Sequence, residues 1–229
     1  MKDLEAVLKV GGSLARGEGL GVLCEEIGRL GSQHQLLVVP GGGEFADKVR
    51  DHYRRYSLSE TTAHRMALLA MDQYGYLLGD LIPNSALVTD LFSARAWAAE
   101  GHLPILLPSA LIIQSDPLPH SWQVTSDSIA AWIAGLVHAP RLILLKGIDG
   151  LFTVTPSKST QVEPVSEMAA SELAIHPEDV DEYLSHILAL VPLETWVING
   201  LYPSRLAELF ASGRTIGTRV TQSPLPDRL

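Results

Sequence analysis

Two lysines in this sequence lie where an apolar run of strand length meets a glycine turn. One is Lys9, in the segment Leu8-Lys9-Val10-Gly11-Gly12-Ser13, and the other is Lys146, in Leu144-Leu145-Lys146-Gly147. Glycines let backbone N–H groups converge on an anion, and a lysine adds a compact positive charge. Both segments therefore fit a phosphate site, although a tight turn beside a surface lysine has the same pattern.

A third glycine turn, Gly41-Gly42-Gly43, follows the apolar run Val38-Val39 and precedes a helical pattern that begins at Glu44. The N-terminus of a helix presents unpaired N–H donors and a partial positive charge, which suits a phosphate. The turn is not a P-loop, because the sequence contains no G-x-x-x-x-G-K-[ST], and the dinucleotide-binding fingerprint is missing too. We expect these three glycines to bind phosphate through the backbone.

A carboxylate among small hydroxyl residues is the next feature that could carry chemistry. The segment Val124-Thr125-Ser126-Asp127-Ser128 precedes an apolar helical pattern. Ser126 or Asp127 could simply cap that helix, and from the residues alone this interpretation stays open. The eight histidines are scattered without metal-ligand spacing, so we expect no metal site built by the protein itself.

The elements that must position these residues follow an α/β pattern. Apolar runs of strand length alternate with segments of helical spacing, which predicts crossover units around a mainly parallel, buried sheet. The predicted strands are Ala6–Val10, Gln35–Val39, Ala86–Thr89, Ile105–Leu107, Leu142–Leu145, Trp196–Ile198 and a short one ending near Val220. The predicted helices include Glu44–Tyr53, Asp127–Val137 and one from Pro203 to Gly213, and the Pro-, Ser- and Thr-rich segment Thr155–Pro177 predicts a mobile loop.

Composition narrows the class of protein. The 229 residues carry a net charge of -9 with no long basic run, which disfavours nucleic acid as a partner. No apolar run reaches the roughly 18 residues of a membrane helix, and the N-terminus does not resemble a signal peptide. The single cysteine, Cys24, fits an inert core thiol in a reducing cytoplasm. We predict one cytoplasmic domain with two lobes.

Taken together, the four motif segments resemble the amino acid kinase family over essentially the whole chain. The resemblance implies a three-layer αβα sandwich with a mainly parallel central sheet. It also implies an acceptor-binding lobe over about residues 1–135 and a nucleotide-binding lobe over about residues 136–229. The expected partners are ATP, Mg²⁺ carried by that nucleotide, a small-molecule acceptor and further copies of the chain in a homo-oligomer, a dimer or larger.

The resemblance also implies roles for individual residues. Lys9, Gly11, Gly12 and Ser13 would hold the transferring phosphoryl group, and Asp127 would orient the catalytic lysines. The nucleotide site would comprise Lys146, Gly147, Asp149, Gly150, Phe152 and Thr153. The sequence departs from the family in one respect: a second catalytic lysine is missing from its usual place, since Lys158 is the only lysine after Lys146. Lys146 could replace it, as could Arg205 or Arg214, and we favour Lys146.

The acceptor can be narrowed by similarity within the family. The segments Pro40–Arg50, Met71–Gly75, Trp122–Ser128 and Asn199–Pro203 look most like the methanofuran-biosynthesis kinases, a branch that phosphorylates an aminomethylfuran methyl phosphate to its diphosphate. Isopentenyl phosphate kinases usually have a histidine where this sequence has Pro40. The alternatives are another acceptor, such as isopentenyl phosphate, UMP or an acyl amino acid, and a non-catalytic protein that binds a nucleotide or an oxyanion.

Residue chemistry suits an acceptor that carries charges of both signs. Asp47 and Arg50 are three positions apart on a predicted helix and so share a face. The carboxylate could take an ammonium group while the guanidinium holds a phosphate. The alternative is that these two side chains only pair with each other. The full set of predicted acceptor-binding residues is Glu44, Asp47, Arg50, Thr125 and Ser126.

Overall fold

The strands form a single sheet in the computed structural model, which describes residues 3–152, 164–175 and 179–222. In chain order they are β1 (Ala6–Val10), β2 (Leu36–Pro40), β3 (Ser85–Val88), β4 (Leu103–Leu106), β5 (Arg141–Lys146), β6 (Glu167–Ala169), β7 (Glu194–Asn199) and β8 (Thr218–Thr221). The order across the sheet is β3-β4-β2-β1-β5-β7-β8-β6, and only β7 and β8 pair in antiparallel orientation.

The helices lie on both faces of this sheet. They are α1 (Leu20–Gly31), α2 (Gly43–Tyr56), α3 (Glu60–Leu81), α4 (Leu91–Ala99), α5 (Ser109–Ser115), α6 (Ser126–Leu136), α7 (Leu184–Leu190) and α8 (Pro203–Ser212), with short 3-10 helices at Gly12–Arg16 and Ala170–Ile175. The predicted three-layer αβα sandwich with a mainly parallel sheet is confirmed. None of the helices in the described part of the chain is both long and apolar enough to cross a bilayer.

Strand register brings the glycine turns to one edge of the sheet. β1 lies between β2 and β5, and Lys9 pairs with Val39 on one side and Leu144 on the other. Because these three central strands are parallel, their carboxyl ends meet at the same edge. This edge is where ligands bind in open α/β sheets. The turns that begin at Gly11, Gly41 and Gly147 therefore start close together.

Two apolar layers, one on each face, hold the helices to the sheet. One contains Val7 and Leu144 and packs against α6 and α7, and the other contains Leu8 and Leu145 and packs against α1 and α8. Cys24 lies fully buried in the second layer, where burial raises the pKa of its thiol to about 11. Its position agrees with the predicted inert core thiol.

The predicted loop Thr155–Pro177 is wrong over part of its length. Within it, Glu167–Ala169 form the edge strand β6, which pairs in parallel with β8, and a 3-10 helix follows directly. This strand is only three residues long, and Met168 is its one buried side chain. It is therefore too short to show a periodic pattern in the sequence. Residues 155–163, 176 and 177 of the predicted loop lie outside the described residues.

Candidate active site

The alternation of side chains along β1 and β5 places the side chains of Lys9 and Lys146 on the same face of the sheet. Successive side chains along a strand point to opposite faces. Val7 on β1 and Leu144 on β5 belong to the layer that packs on α6. Lys9 and Lys146 lie two positions beyond them, so both lysines point into this layer at the carboxyl edge of the sheet.

Asp127 in the first turn of α6 joins the two lysines. Its Oδ1 lies 2.7 Å from Nζ of Lys9, and its Oδ2 lies 2.7 Å from Nζ of Lys146. We call these three residues the buried triad, since the exposed fraction is 1% for Asp127 and 4% for Lys9. The N-cap of α6 is Thr125, whose Oγ1 accepts from the backbone N–H of Asp127. The capping interpretation is therefore wrong for both Ser126 and Asp127.

Burial and neighbouring charges shift the pKa values of Asp127 and Lys9. Burial raises the pKa of Asp127, but the positive charges of Lys146 and Lys9 outweigh burial and hold that pKa well below its ordinary value. Burial lowers the pKa of Lys9, Asp127 opposes that change, and the charge of Lys146 adds to it. Asp127 is thus ionised at neutral pH, between two cations that face the same cavity.

A further buried carboxylate, Asp181, lies next to the triad. The sequence interpretation did not identify it. It precedes α7, it is 5% exposed, and its carboxylate accepts hydrogen bonds from the backbone N–H of Thr125, Ser128 and Leu184. The hydroxyl groups of Thr125 and Ser128 donate to it as well. The sequence gives no local signal for this contact, because Asp181 lies 53 positions after Ser128.

Two glycine turns meet beside the triad. A Cβ built on Gly12 would lie 2.1 Å from Cα of Gly43, so only glycine at position 12 lets the turns approach this closely. Gly43 itself has a φ of +55°, in the left-handed region that favours glycine. Gly41 lies behind them and donates its N–H to the carbonyl of Val10 at 2.8 Å. The backbones of the two turns therefore form one continuous surface.

A cavity of about 440 Å³ adjoins the triad and the two turns. Its α3 wall is formed by residues spaced along one helical face, from Glu60 through His64 and Leu68 to Met71. The predicted residues that line the cavity are Lys9, Gly11, Gly12, Ser13, Gly42, Gly43, Asp47, Arg50, Thr125, Ser126, Lys146 and Gly147. Glu44 instead lies exposed at the start of α2. The structure thus gathers most of the predicted site at one opening.

A second set of charges lies at the rim of this cavity. One oxygen of Asp47 lies 2.5 Å from Nη2 of Arg16, and the other lies 3.0 Å from Nη1 of Arg50. The guanidinium of Arg50 also lies over the ring of Trp122, 5.0 Å from its centroid. We call Arg16, Asp47 and Arg50 the rim triad. Arg16 has no sequence signal, because it ends a short 3-10 helix and its partner Asp47 lies 31 positions away.

The predicted nucleotide residues follow β5 at the same edge of the sheet. Asp149 accepts hydrogen bonds from Nδ2 of Asn199 at 3.0 Å and from Nη1 of Arg205 at 2.5 Å. Arg205 is therefore engaged away from Asp127, and Lys146 provides the second cation of the triad. Gly150 packs on Thr218, Phe152 is half-buried, and Thr153 lies outside the described residues.

The cavity wall offers donors for the phosphates of ATP. Backbone N–H groups of the glycine turns together with two ammonium groups form a donor set that suits phosphate oxygens. Among the described residues, no group of three or more His, Cys, Asp or Glu side chains is arranged to hold a metal ion. The donor set fits a nucleotide phosphate, and a magnesium ion would be held by the phosphates that carry it.

Comparison with known proteins agrees with this geometry. The model of the Amino acid kinase family matches residues 5–190. A [5-(aminomethyl)furan-3-yl]methyl phosphate kinase of Methanocaldococcus jannaschii is 27% identical over 187 residues, which cover 81% of this chain and 83% of the relative. A uridylate kinase of Methanobrevibacter smithii is 23% identical, with 95% of this chain and 99% of the relative covered.

Solved structures show the same fold. The crystal structure of uridylate kinase from Archaeoglobus fulgidus superposes with a TM-score of 0.74 at 22% identity, covering 95% of this chain and all of that one. At this level of identity the similarity concerns the fold alone.

Proposed function

The chain belongs to the amino acid kinase family and is a kinase, and we propose that its acceptor is a small metabolite with both a phosphate and an amino group. The observation that carries this proposal is the buried triad beside two glycine turns and a cavity with a charged rim. Transfer of the γ-phosphoryl group of ATP to the acceptor phosphate would yield ADP and a diphosphate.

The triad would act by positioning and by neutralising charge. Phosphoryl transfer places charge on the oxygens of the moving group, and there is little covalent work for the protein. Lys9 and Lys146 would neutralise that charge, while Asp127 holds both ammonium groups in place. The turns Gly11–Ser13 and Gly41–Gly43 would bind the phosphates through N–H groups. Magnesium bound to ATP would supply further charge neutralisation at the phosphates.

The acceptor and the nucleotide would each bind in its own lobe, at the same edge of the sheet. We assign the acceptor to a lobe of about residues 1–135, which contributes α2, α3 and the first turn of α6. We assign the nucleotide to a lobe of about residues 136–229, with Lys146, Gly147, Asp149, Gly150, Phe152 and Thr153. Arg205 would help to shape this end, because it fixes Asp149.

The rim arginines support a phosphorylated acceptor. Arg16 and Arg50 together carry two positive charges and share one carboxylate, so the rim triad has a net positive charge. Arginine matches the geometry of a phosphate with paired N–H donors. The Methanocaldococcus jannaschii relative is named for a phosphorylated acceptor of this kind, an aminomethylfuran methyl phosphate.

The apolar part of the cavity supports an acceptor with a small ring or chain. Leu68 and Met71 on α3 line it on one side, and Val124 and Ile129 line it on the other. Apolar walls with a few charged groups are typical of pockets that orient a small molecule. Tyr74, one turn beyond Met71, donates to the carbonyl of Gly11 at 3.4 Å. The same α3 face thus runs from the glycine turn toward Glu60 at the mouth.

Three carboxylates line the cavity, and the two on the acceptor-side helices α2 and α3, Asp47 and Glu60, are the candidates for the amino group. Asp47 is already engaged by both rim arginines. Glu60 lines the same cavity, and no residue in the described ranges forms an ion pair with it within 4.0 Å. A carboxylate that is not already neutralised attracts an ammonium group more strongly. We therefore favour Glu60 over Asp47 as the partner of the amino group.

A product screen tests the acceptor directly. Purified protein is incubated with ATP, Mg²⁺ and one candidate at a time, and products are read by mass: the aminomethylfuran phosphate, its desamino analogue, UMP, isopentenyl phosphate and acetylglutamate. We expect a diphosphate from the first compound. Turnover of UMP with none of the aminomethylfuran phosphate would favour the second candidate, a uridylate kinase, the activity for which the Methanobrevibacter smithii relative is named.

Variants then locate the amino group. Glu60→Gln should reduce the preference for the aminomethyl compound over its desamino analogue about fivefold, the factor that corresponds to an exposed ion pair of about 1 kcal/mol. Glu100→Gln, at an exposed site that does not line the cavity, is the matched control. If Asp47→Ala removes the preference and Glu60→Gln does not, the amino group binds at the rim triad instead.

We also propose that the chain forms a homo-oligomer through α3. Leu69, Tyr76 and Leu77 are 49%, 59% and 40% exposed and lie close together on this helix, away from the cavity face. The exposed Arg65 lies four positions before Leu69, and the exposed Asp80 lies three positions after Leu77. Two antiparallel α3 helices would therefore bring each Arg65 to the Asp80 of the other copy, as a two-fold interface requires.

Light scattering tests this interface. The natural chain should have the mass of a dimer or a larger assembly, and the double variant with Leu69→Glu and Tyr76→Glu should be a monomer. Val22→Glu is the control, since Val22 is equally exposed but lies on α1. A monomeric natural chain would refute the proposal.

A further inference from the structure

We propose that Asp181 is a positioning residue for phosphoryl transfer. It holds Asp127 in place between the two lysines and supplies a second negative charge beside the buried triad. Asp181 does not line the 440 Å³ cavity, so a direct contact with the acceptor there is not part of this role. It acts through the first turn of α6.

The geometry of that turn carries the inference. One oxygen of Asp181 accepts from the N–H of Thr125 at 2.9 Å, from its hydroxyl at 2.8 Å and from the N–H of Ser128 at 2.9 Å. The other oxygen accepts from the hydroxyl of Ser128 and from the N–H of Leu184 at 2.9 Å. Thr125 lies two positions before Asp127 and Ser128 lies one position after it, so Asp181 fixes the backbone from which the carboxylate of Asp127 projects.

The same contacts join two elements that are far apart in sequence. Asp181 links the N-terminus of α6 to that of α7. Next to this link, Nε2 of Gln123 donates a hydrogen bond to Oε2 of Glu182 at 2.8 Å. The segment around Asp181 also lines a second, adjoining cavity of about 650 Å³. Because Asp181 is bonded to Thr125 and Ser128, a displacement of this segment would also move the turn that carries Asp127.

Charge balance gives Asp181 a second role. The buried triad has two cations and one anion, and burial of an unbalanced charge is costly. The charged groups that act on Lys9 are Asp127 on α6, Lys146 on β5 and Asp181 before α7. Asp181 adds the missing negative charge and favours the protonated form of Lys9. Burial and the charge of Asp127 in turn raise the pKa of Asp181, which identifies it as the more easily protonated of the two carboxylates.

The decisive experiment is the pH profile of Asp181→Asn. Removal of the negative charge makes the charged form of Lys9 less favourable, so the alkaline limb of kcat against pH should move to lower pH. Loss of hydrogen bonds to a charged group should also decrease kcat about tenfold to a hundredfold. If Asp181 had only a structural role, the substitution would lower the melting temperature and leave the alkaline limb at its original pH.

Asp90→Asn is the matched control. Asp90 is also an aspartate that receives bonds from a helix N-terminus, from the N–H of Ser93 at 2.8 Å and its hydroxyl at 2.7 Å, but it caps α4 away from the lysines. It should leave both limbs of the profile unchanged. An unchanged kcat in Asp181→Asn would overturn the proposal, and so would a lower kcat with an alkaline limb at its original pH.

Ser128→Ala keeps the test decisive if Asp181→Asn does not fold. This variant removes one donor to Asp181 and leaves all four charges in place. Because a hydrogen bond to the carboxylate favours its charged form, its loss should move the acid limb of kcat to higher pH. An acid limb at its original pH would count against Asp181 as the counter-charge.

Discussion

The buried triad and the rim triad have the same arrangement of charges in two different environments. In each, one carboxylate lies between two cations, at 2.7 Å from both in the buried triad and at 2.5 and 3.0 Å in the rim triad. The side chains are 2–16% exposed in the first and 39–68% exposed in the second. Contact distance alone therefore cannot rank these interactions.

Burial decides what each triad can do. Removing one partner of a buried ion pair costs about 3–5 kcal/mol, because a charge is left without compensation. An exposed pair contributes about 0.2–1 kcal/mol. The buried triad is therefore a fixed scaffold, whereas the rim arginines can exchange Asp47 for an acceptor phosphate at little cost.

Lys9→Ala should have the largest effect. Loss of a buried cation beside the developing charge should decrease kcat about 100- to 1,000-fold while the glycine turn keeps its shape. The measurement is kcat together with the melting temperature, with the exposed Lys48→Ala as control. A variant that keeps half of the original kcat would rule out the role of Lys9.

Asp127→Asn should have the next largest effect. The helix keeps its cap, since the cap is Thr125, but the lysines lose the charge that orients them. A misplacement near 1 Å can decrease the rate about 100-fold, so we expect a loss of that order in kcat. Asp51→Asn, an exposed ion-pair partner of Lys48, is the control. Full activity in Asp127→Asn would mean that burial gives the triad no special role.

Arg50→Ala should change affinity and leave the chemical step intact. We expect KM for the phosphorylated acceptor to rise about fivefold, with kcat and the KM for ATP nearly constant, because an exposed contact binds ground and transition states alike. Arg54→Ala, on the exposed side of α2, is the control. A large decrease in kcat would place Arg50 with the buried triad in function.

Salt should separate the two triads without any mutation. Raising the ionic strength from about 0.1 to 1 M shortens the Debye length from about 10 to 3 Å, which screens exposed charges far more than buried ones. We expect KM for the acceptor to rise about twofold and kcat to change less. An equal response of both parameters would show that solvent ions reach the buried triad.

Local patterns in the sequence account for the central part of this molecule. Strand runs such as Ala6–Val10 and the glycine turns are encoded by neighbouring residues, and their positions were correct to within about two residues. Strand alternation also explains why Lys9 and Lys146 meet. These features depend on spacing within a few residues.

Contacts between distant segments account for what was missed. Asp181 reaches Ser128 across 53 positions, Arg16 reaches Asp47 across 31, and β6 exists only because β8 pairs with it. No local propensity encodes such pairs, because each side chain is ordinary in its own segment. The cap of α6 was missed by one or two positions, since Thr125, Ser126 and Asp127 are all good capping residues.

The interlock between Gly12 and Gly43 has a consequence for engineering this protein. Because a Cβ at Gly12 would overlap the backbone of Gly43, the two turns can change only together. A mutant library aimed at new acceptors would lose most members that vary either glycine. Diversity is better placed on the α3 wall, at positions such as His64 and Met71, where a new side chain alters the shape of the cavity and leaves the phosphate-binding backbone untouched.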